Sequence, residues 1–215
     1  MGATMALAAC GTMNRSNLND NATASISLLA MGPAYQASGL PVSAAIPTSV
    51  MDAQAPAGFL SFCVRKPDQC AEPGPVKEVA LNASVWQALQ DVNEQVNTSI
   101  RPEDDRDHYG RNEYWTIPAD GIGDCDDYAL TKRAKLIAAG IPQAALRIAI
   151  VRTWWDEPHA VLTVVTDHGD FVLDNLNTEV KPWKDTDYKW VERQDPDRAM
   201  GWVAISESPT LRRSL

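Results

Sequence analysis

No run of apolar residues in this chain reaches the roughly 18 that a helix needs to cross a bilayer, so nothing in it reads as a transmembrane span. A basic stripe is missing too: 19 Lys and Arg against 28 Asp and Glu leave a formal charge of −9. Nucleic-acid binding needs clustered cations to neutralise phosphates, so that class of partner is excluded. The acidic balance suits cationic partners or metal ions, or simply a solvated surface. No Cys-x-x-Cys or His-x-x-x-His pair is present, and no internal repeat. A zinc framework therefore has little to stand on. What is present is ordinary for a globular protein, 45% hydrophobic and 22% charged over 215 residues, enough for one domain and a leader.

Residues 1–57 read as a leader, signal or lipoprotein tether, largely unstructured, because 14–56 is rich in Ala, Ser, Asn, Gly and Pro without sustained periodicity. Leu7-Ala8-Ala9-Cys10-Gly11 matches a lipobox, which makes Cys10 a candidate lipid anchor, although no Lys or Arg precedes it. The folded domain is expected over 58–215. Cys63 and Cys70 flank a Lys66-Pro67-Asp68 turn that brings them together, and they read as a disulfide. A disulfide requires an oxidising compartment, so the expected location is periplasmic or secreted.

Trp86, Leu89, Val92 or Asn93, Val96 and Ile100 recur at helical spacing, with Ser84 and Gln87 as a capping box. The charged run Arg101 to Asp107 reads as an exposed loop. A second helix starts at Asp124 or Cys125 and stops at Gly140, with Ala129, Leu130, Ala134 and Ile137 as its apolar face. Leu146 to Arg152, His159 to Thr166 and Phe171 to Asp174 read as strands, the last two joined in a hairpin by Asp167-His168-Gly169-Asp170. A strand over Gly201 to Ile205 extends the antiparallel sheet. The fold class is α+β, with helices packed against one side of that sheet.

Chemistry concentrates at Cys125. A thiol in the first turn of a helix faces unpaired backbone N–H groups and the positive end of the helix dipole, which favour thiolate and can bind an oxyanion. His159, opening the strand HAVLTVV, is the candidate base, and Asp174, ending FVLD, its orienting acceptor. His168 in the turn and His108 in the charged loop are poorer bases. The loop Trp154 to Pro158 and the region of Trp115 are either substrate walls or packed core.

These pieces, Trp115-x-x-Pro118, Gly123-Asp124-Cys125-Asp126-Asp127-Tyr128-Ala129, Lys135-Leu136, Gly140-Ile141-Pro142, His159-Ala160-Val161-Leu162 and Val172-Leu173-Asp174-Asn175, resemble the bacterial transglutaminase-like cysteine proteinases, which include the LapG-type periplasmic proteases. The resemblance covers 58–206. It implies a papain-like or transglutaminase-like fold and a calcium-dependent cysteine endopeptidase with Cys125, His159 and Asp174 as catalytic triad. Also implied are Asp124, Asp126 and Asp127 as calcium ligands, a protein substrate such as a large surface adhesin, a role in biofilm release, and an inhibitory membrane receptor. Position 126 carries Asp where the family often has Glu. The three aspartates equally suit capping of the helix and its dipole. Two other functions remain open: transglutaminase-type acyl transfer to an amine, and an inactive calcium-responsive binding module.

Overall fold

The computed structural model describes residues 39–206. Cys10, most of the expected leader and the last nine residues lie outside them. No helix among the described residues is long and apolar enough to cross a membrane. In chain order the elements are β1 (Thr48–Ala53), α1 (Ala57–Arg65), α2 (Ala83–Ser99), β2 (Arg101–Pro102), α3 (Asp105–Tyr109), β3 (Ile122–Gly123) and α4 (Cys125–Ala138). They continue with β4 (Leu146–Arg152), β5 (Pro158–Thr166), β6 (Gly169–Leu173), β7 (Lys181–Pro182), β8 (Lys189–Gln194) and β9 (Trp202–Ile205). Seven strands form one antiparallel sheet in the order β1-β9-β8-β4-β5-β6-β7, and β2 pairs with β3 in a separate parallel ribbon.

The apolar run in β5 follows from burial on both faces. Ala160, Leu162 and Val164 point toward the helices, where they meet Leu89 and Val96 of α2 and Leu130 and Leu136 of α4. Val161 points the other way, into a second cluster with Ala149, Val151, Val172, Trp183, Tyr188 and Trp190. That second face is covered by Ile46 from the N-terminal arm and by the segment around Trp183. The arm is held by a buried ion pair. Arg193 donates through Nη1 to Asp170 Oδ2 at 2.7 Å and through Nη2 to the Ile46 carbonyl at 3.1 Å, while Ile46 N donates to the same Asp170 oxygen at 3.0 Å. Ordered structure thus begins ahead of Gly58: within the segment expected to be a loose tether, residues 43–46 are fastened to the sheet and β1 is its edge strand.

Three local expectations are corrected. The first long helix starts two residues early, because the Asn82 side chain caps it by accepting from Val85 N at 2.9 Å, and Ser84 instead donates to Asn82. The run Arg101 to Asp107 is not an exposed loop throughout, since it forms β2 and enters α3, whose Asp105 is buried. The buried residues of α4 include Lys132 and Arg133, and Ala134 and Ile137 are only partly buried. Arg133 is accommodated by donating to the Gln69 carbonyl at 2.9 Å and the Leu146 carbonyl at 3.4 Å.

The helix stop at Gly140 takes Schellman form. Gly140 has φ 93°, its N–H reaches Ile137 O at 2.9 Å and the next N–H, of Ile141, reaches Leu136 O at 3.0 Å. Cys63 and Cys70 form a disulfide with Cα atoms 5.4 Å apart. Trp115 is core: it stands edge-on to Phe59 at 5.8 Å and Trp202 at 6.5 Å, and a Cβ on Gly58 would come within 2.3 Å of its ring.

Candidate active site

Cys125 opens α4 at one wall of a cleft of about 680 Å³, and His159, the second residue of β5, lines the same cleft. The half-buried thiol accepts from the backbone N–H of Ala160 at 3.4 Å, so the helix start is tied to the strand beside the histidine. His159 Nε2 lies 2.8 Å from Asp174 Oδ1, with both side chains buried. The carboxylate accepts the Nε2 proton, which leaves Nδ1 as the basic nitrogen. Leu162 pairs with Leu173, and continuing that register sets Asp174 opposite Val161, two residues beyond His159 on the same face. The pair is therefore a diagonal cross-strand contact.

Asp174 is the most heavily bonded carboxylate of the site. Its Oδ1 also accepts from Leu176 N at 3.0 Å, and its Oδ2 accepts from Asn177 Nδ2 at 2.9 Å and from the Tyr188 hydroxyl. Burial alone would raise its pKa, but the hydrogen bond and charge of His159, joined by Tyr188, win and bring it down to about 2. Burial and the Asp174 charge push the Tyr188 hydroxyl up, so it stays a donor. Behind these stand two asparagines of α2. Asn93 Oδ1 accepts from Asp174 N at 3.1 Å while its Nδ2 donates to the Asn177 and Thr178 carbonyls, and Asn97 Nδ2 donates to the Asp174 carbonyl at 2.9 Å. Sequence reading missed Asn97, Asn177 and Tyr188. For Asn93 a signal existed, an amide at a core position of an amphipathic helix.

Burial, followed by the charges of Asp126 and Asp124, pushes the Cys125 thiol well above its ordinary value, and the Ala160 N–H opposes this only in part. The acidic residues responsible are themselves crowded. Single ligand atoms of Asp105, Asp124 and Asp127 lie within 4.8 Å of one another, as do those of Asp124, Cys125 and Asp126. Asp105 Oδ1, Asp124 Oδ1, Asp126 Oδ2 and Asp127 Oδ2 are buried oxygens without a hydrogen-bond donor among the described residues. Burial and mutual repulsion raise three of the four: Asp127 to about 8, Asp126 well above the usual carboxylate range, and Asp105 upward.

The Asp124 side chain makes no cap bond to α4, although Asp124 occupies the cap position. Hard oxygens converging without donors are the donor set a calcium ion takes, and they fit it better than they fit one another. Asp105, from α3, was missed because a five-residue helix in a uniformly charged run carries no periodicity. Its second oxygen accepts from Tyr114 N, and Asp127 Oδ1 accepts from Thr116 N at 2.7 Å. Gly123 is required where it stands, for a Cβ there would fall 2.2 Å from Asp127 Oδ2.

The other histidines are engaged elsewhere. His108 Nε2 pairs with Asp120 at 3.0 Å, and His168 Nδ1 lies 3.2 Å from the Pro41 carbonyl. Of the tryptophan positions, Trp155 lines the cleft and Trp115 does not.

The family model for bacterial transglutaminase-like cysteine proteinase matches residues 49–210. Among solved structures the chain is similar to Legionella pneumophila LapG in a calcium-bound form, with 27% identity, a TM-score of 0.49, and coverage of 61% of this chain and 75% of that one. It is similar also to the EGTA-treated form, with 26% identity, a TM-score of 0.49, and coverage of 59% and 70%. No curated protein sequence matches. With the family model spanning most of its length, and with a cysteine at a helix start beside a buried His and Asp, this chain belongs to the bacterial transglutaminase-like cysteine proteinases and is a cysteine peptidase.

Proposed function

We propose that Cys125, His159 and Asp174 are the catalytic triad of a calcium-dependent endopeptidase that acts on a periplasmic or cell-surface protein of the large-adhesin type. The observation that carries the triad is the buried His159–Asp174 pair of 2.8 Å beside the cleft that holds Cys125. His159 Nδ1 takes the Cys125 proton as the sulfur attacks the scissile carbonyl. The N–H groups of the first turn of α4, which have no partner within the helix, receive the oxyanion. The protonated Nδ1 then gives its proton to the departing amine. A water deprotonated by the same nitrogen hydrolyses the thioester and restores the thiol. Asp174 holds the imidazole in the tautomer that this needs and stabilises the imidazolium.

The residues that would hold calcium are Asp105, Asp124 and Asp127, with Asp126 beside them. A bound ion would supply positive charge next to the Asp124 and Asp126 carboxylates, which after burial itself push the thiol up most. The periplasmic or secreted location is supported by the Cys63–Cys70 disulfide. A membrane receptor that restrains the enzyme and a lipid anchor at Cys10 complete the proposal.

The test is iodoacetamide labelling of the purified chain at pH 6, with calcium or chelator, followed by peptide mapping and a parallel assay with a protein substrate and a labelled amine. Rapid labelling of Cys125 with calcium, lost in His159→Ala, together with hydrolysis that incorporates no amine, is the expected outcome. Labelling as slow as that of a free thiol under every condition would sink the triad. Stoichiometric amine incorporation would turn the reading to acyl transfer, and identical rates in chelator would remove calcium.

A further inference from the structure

Three large apolar side chains stand in solvent next to the cleft: Trp154 is 72% exposed, Trp155 44% and Leu176 51%. They border a second cavity of about 320 Å³ that shares Trp155 and Leu176 with the catalytic cleft and is lined also by Asn177, Lys181 and Tyr188. The loop that presents the tryptophans is fixed in place. Asp156 holds φ 68°, a conformation that side chains other than glycine seldom adopt, and Arg152 Nη1 clamps its carbonyl at 2.6 Å. Thr153 N and Asp156 N bond across the turn, to the Glu157 and Thr153 carbonyls at 3.0 and 2.9 Å. The two indoles stand edge to face, 5.2 Å apart.

Most of the neutral polar groups along this cavity are already committed, as is one donor of Lys181. The Trp155 indole N–H donates to Glu157, Lys181 Nζ to Asn177 Oδ1 at 3.0 Å, Thr186 Oγ1 to the Trp183 carbonyl at 2.7 Å, and the Tyr188 hydroxyl to Asp174. What remains to offer an incoming group is mostly ring face and aliphatic surface; of the charges in the lining, the Asp185 and Asp187 carboxylates outnumber the single Lys181 ammonium and disfavour an acidic occupant. Apolar surface of this kind gains most from an apolar occupant.

Position relative to the triad says which part of a substrate arrives there. The acyl half of the scissile bond becomes attached to Cys125, while the amine half must take its proton from His159 and so departs on the histidine side. Tyr188, whose ring centre is 5.6 Å from that of His159, lines the second cavity on that side. We infer that this cavity is the subsite for an apolar side chain in the substrate segment that follows the scissile bond. The inference rests on the peptidase reading for its direction, and on the cavity walls alone for its chemistry.

The experiment is digestion of a peptide library by the full chain with calcium, the residues after each cut being mapped for wild type, Trp155→Ala and Leu176→Ser. Wild type should favour Leu, Met, Phe or Tyr over Asp and Glu about tenfold or more at one of the positions following the cut, the scale of one apolar pocket contact. Both variants should reduce that preference, read as a ratio within each protein so that any change in overall rate cancels, to about twofold or less. A wild type indifferent to the residues after the cut, or variants with an unchanged profile, overturns the subsite. Failure of the peptidase reading looks different: no cleavage that Cys125→Ala abolishes. In that case calorimetric titration with phenylalaninamide and with aspartic acid amide still decides the cavity. Binding of the first alone, lost in Trp155→Ala, sustains it, and binding of neither or of both equally removes it.

Discussion

Lys132 lies in α4 two turns beyond Cys125, 1% exposed, with its ammonium 5.9 Å from the centre of the Tyr128 ring. Burial lowers its pKa from an ordinary 10.5 to about 7, against an opposing pull from Asp174. The folded state therefore binds this proton less tightly than the unfolded chain does. The resulting penalty is complete below pH 7 and is relieved as pH rises from 7 toward 10.5. At about 1.36 kcal/mol per unit, a displacement of this size costs on the order of 4–5 kcal/mol at pH 6, of which about 2–3 kcal/mol is regained by pH 9. Lys132→Met removes the titration while keeping a long unbranched side chain in the same volume. Urea unfolding of both proteins at pH 6, 7.5 and 9 should show the variant more stable at pH 6, with its advantage shrinking by about 2–3 kcal/mol at pH 9. Taking the difference between the two proteins cancels the titrating groups that do not interact with Lys132, and Asp174, which does, titrates well below this pH range. A stability difference that stays flat across that range would mean that Lys132 keeps its charge in the fold and that the reasoning from burial is wrong.

Asp174→Asn should lower kcat by roughly 10²–10⁴ with a smaller change in KM, because an amide cannot stabilise the imidazolium. Since the Asp174 carboxylate is depressed from 3.8 to about 2, its stabilising contribution holds above 3.8 and is lost only as pH falls through about 2. An acid limb of activity between pH 4 and 7 must then come from another group, and an Asp174 carboxyl resonance that titrates within that range in an NMR experiment would contradict this. Gly123→Ala forces a Cβ to within 2.2 Å of Asp127 Oδ2, so the first turn of α4 has to shift. Calcium affinity measured by calorimetry should fall at least about tenfold while the circular dichroism spectrum is kept, and unchanged affinity would place the ion elsewhere.

Legibility in the sequence followed the range of the interactions. The helix of Cys125 and the β5–β6 hairpin could be read because periodicity, a glycine stop and a polar turn are local signals, and Cys125, His159 and Asp174 sit at the ends of those elements. β1 could not be read: it is a mostly exposed edge strand whose one partner among the described residues, β9, comes from far along the chain. Asp105 was hidden in a charged run because its place beside Asp124 and Asp127 is a tertiary contact, which no spacing rule encodes. Lys132 and Arg133 were hidden for the opposite reason, since charged residues on a helix normally mark its solvent face. The expectation of a thiolate stabilised by the helix dipole considered one field and left out burial, which pushes the thiol up most, and then the charges of the aspartates on either side of Cys125.

The pairing of Thr48 with Ile205 has a consequence for how the molecule is made. A polypeptide emerging from a ribosome, or threaded through a translocation pore, presents β1 first and β9 last. The central strands β4, β5 and β6 are neighbours in sequence and can assemble as they appear. The edge that closes the sheet must wait for the closing residues of the domain, so loop-closure entropy is met at the last step. Until then β1 is an unpaired strand with a free edge, open to pairing with another chain. A nascent copy truncated before Trp202 would carry every element of the cleft yet leave that strand without its partner, and aggregation rather than inactivity would be its characteristic failure.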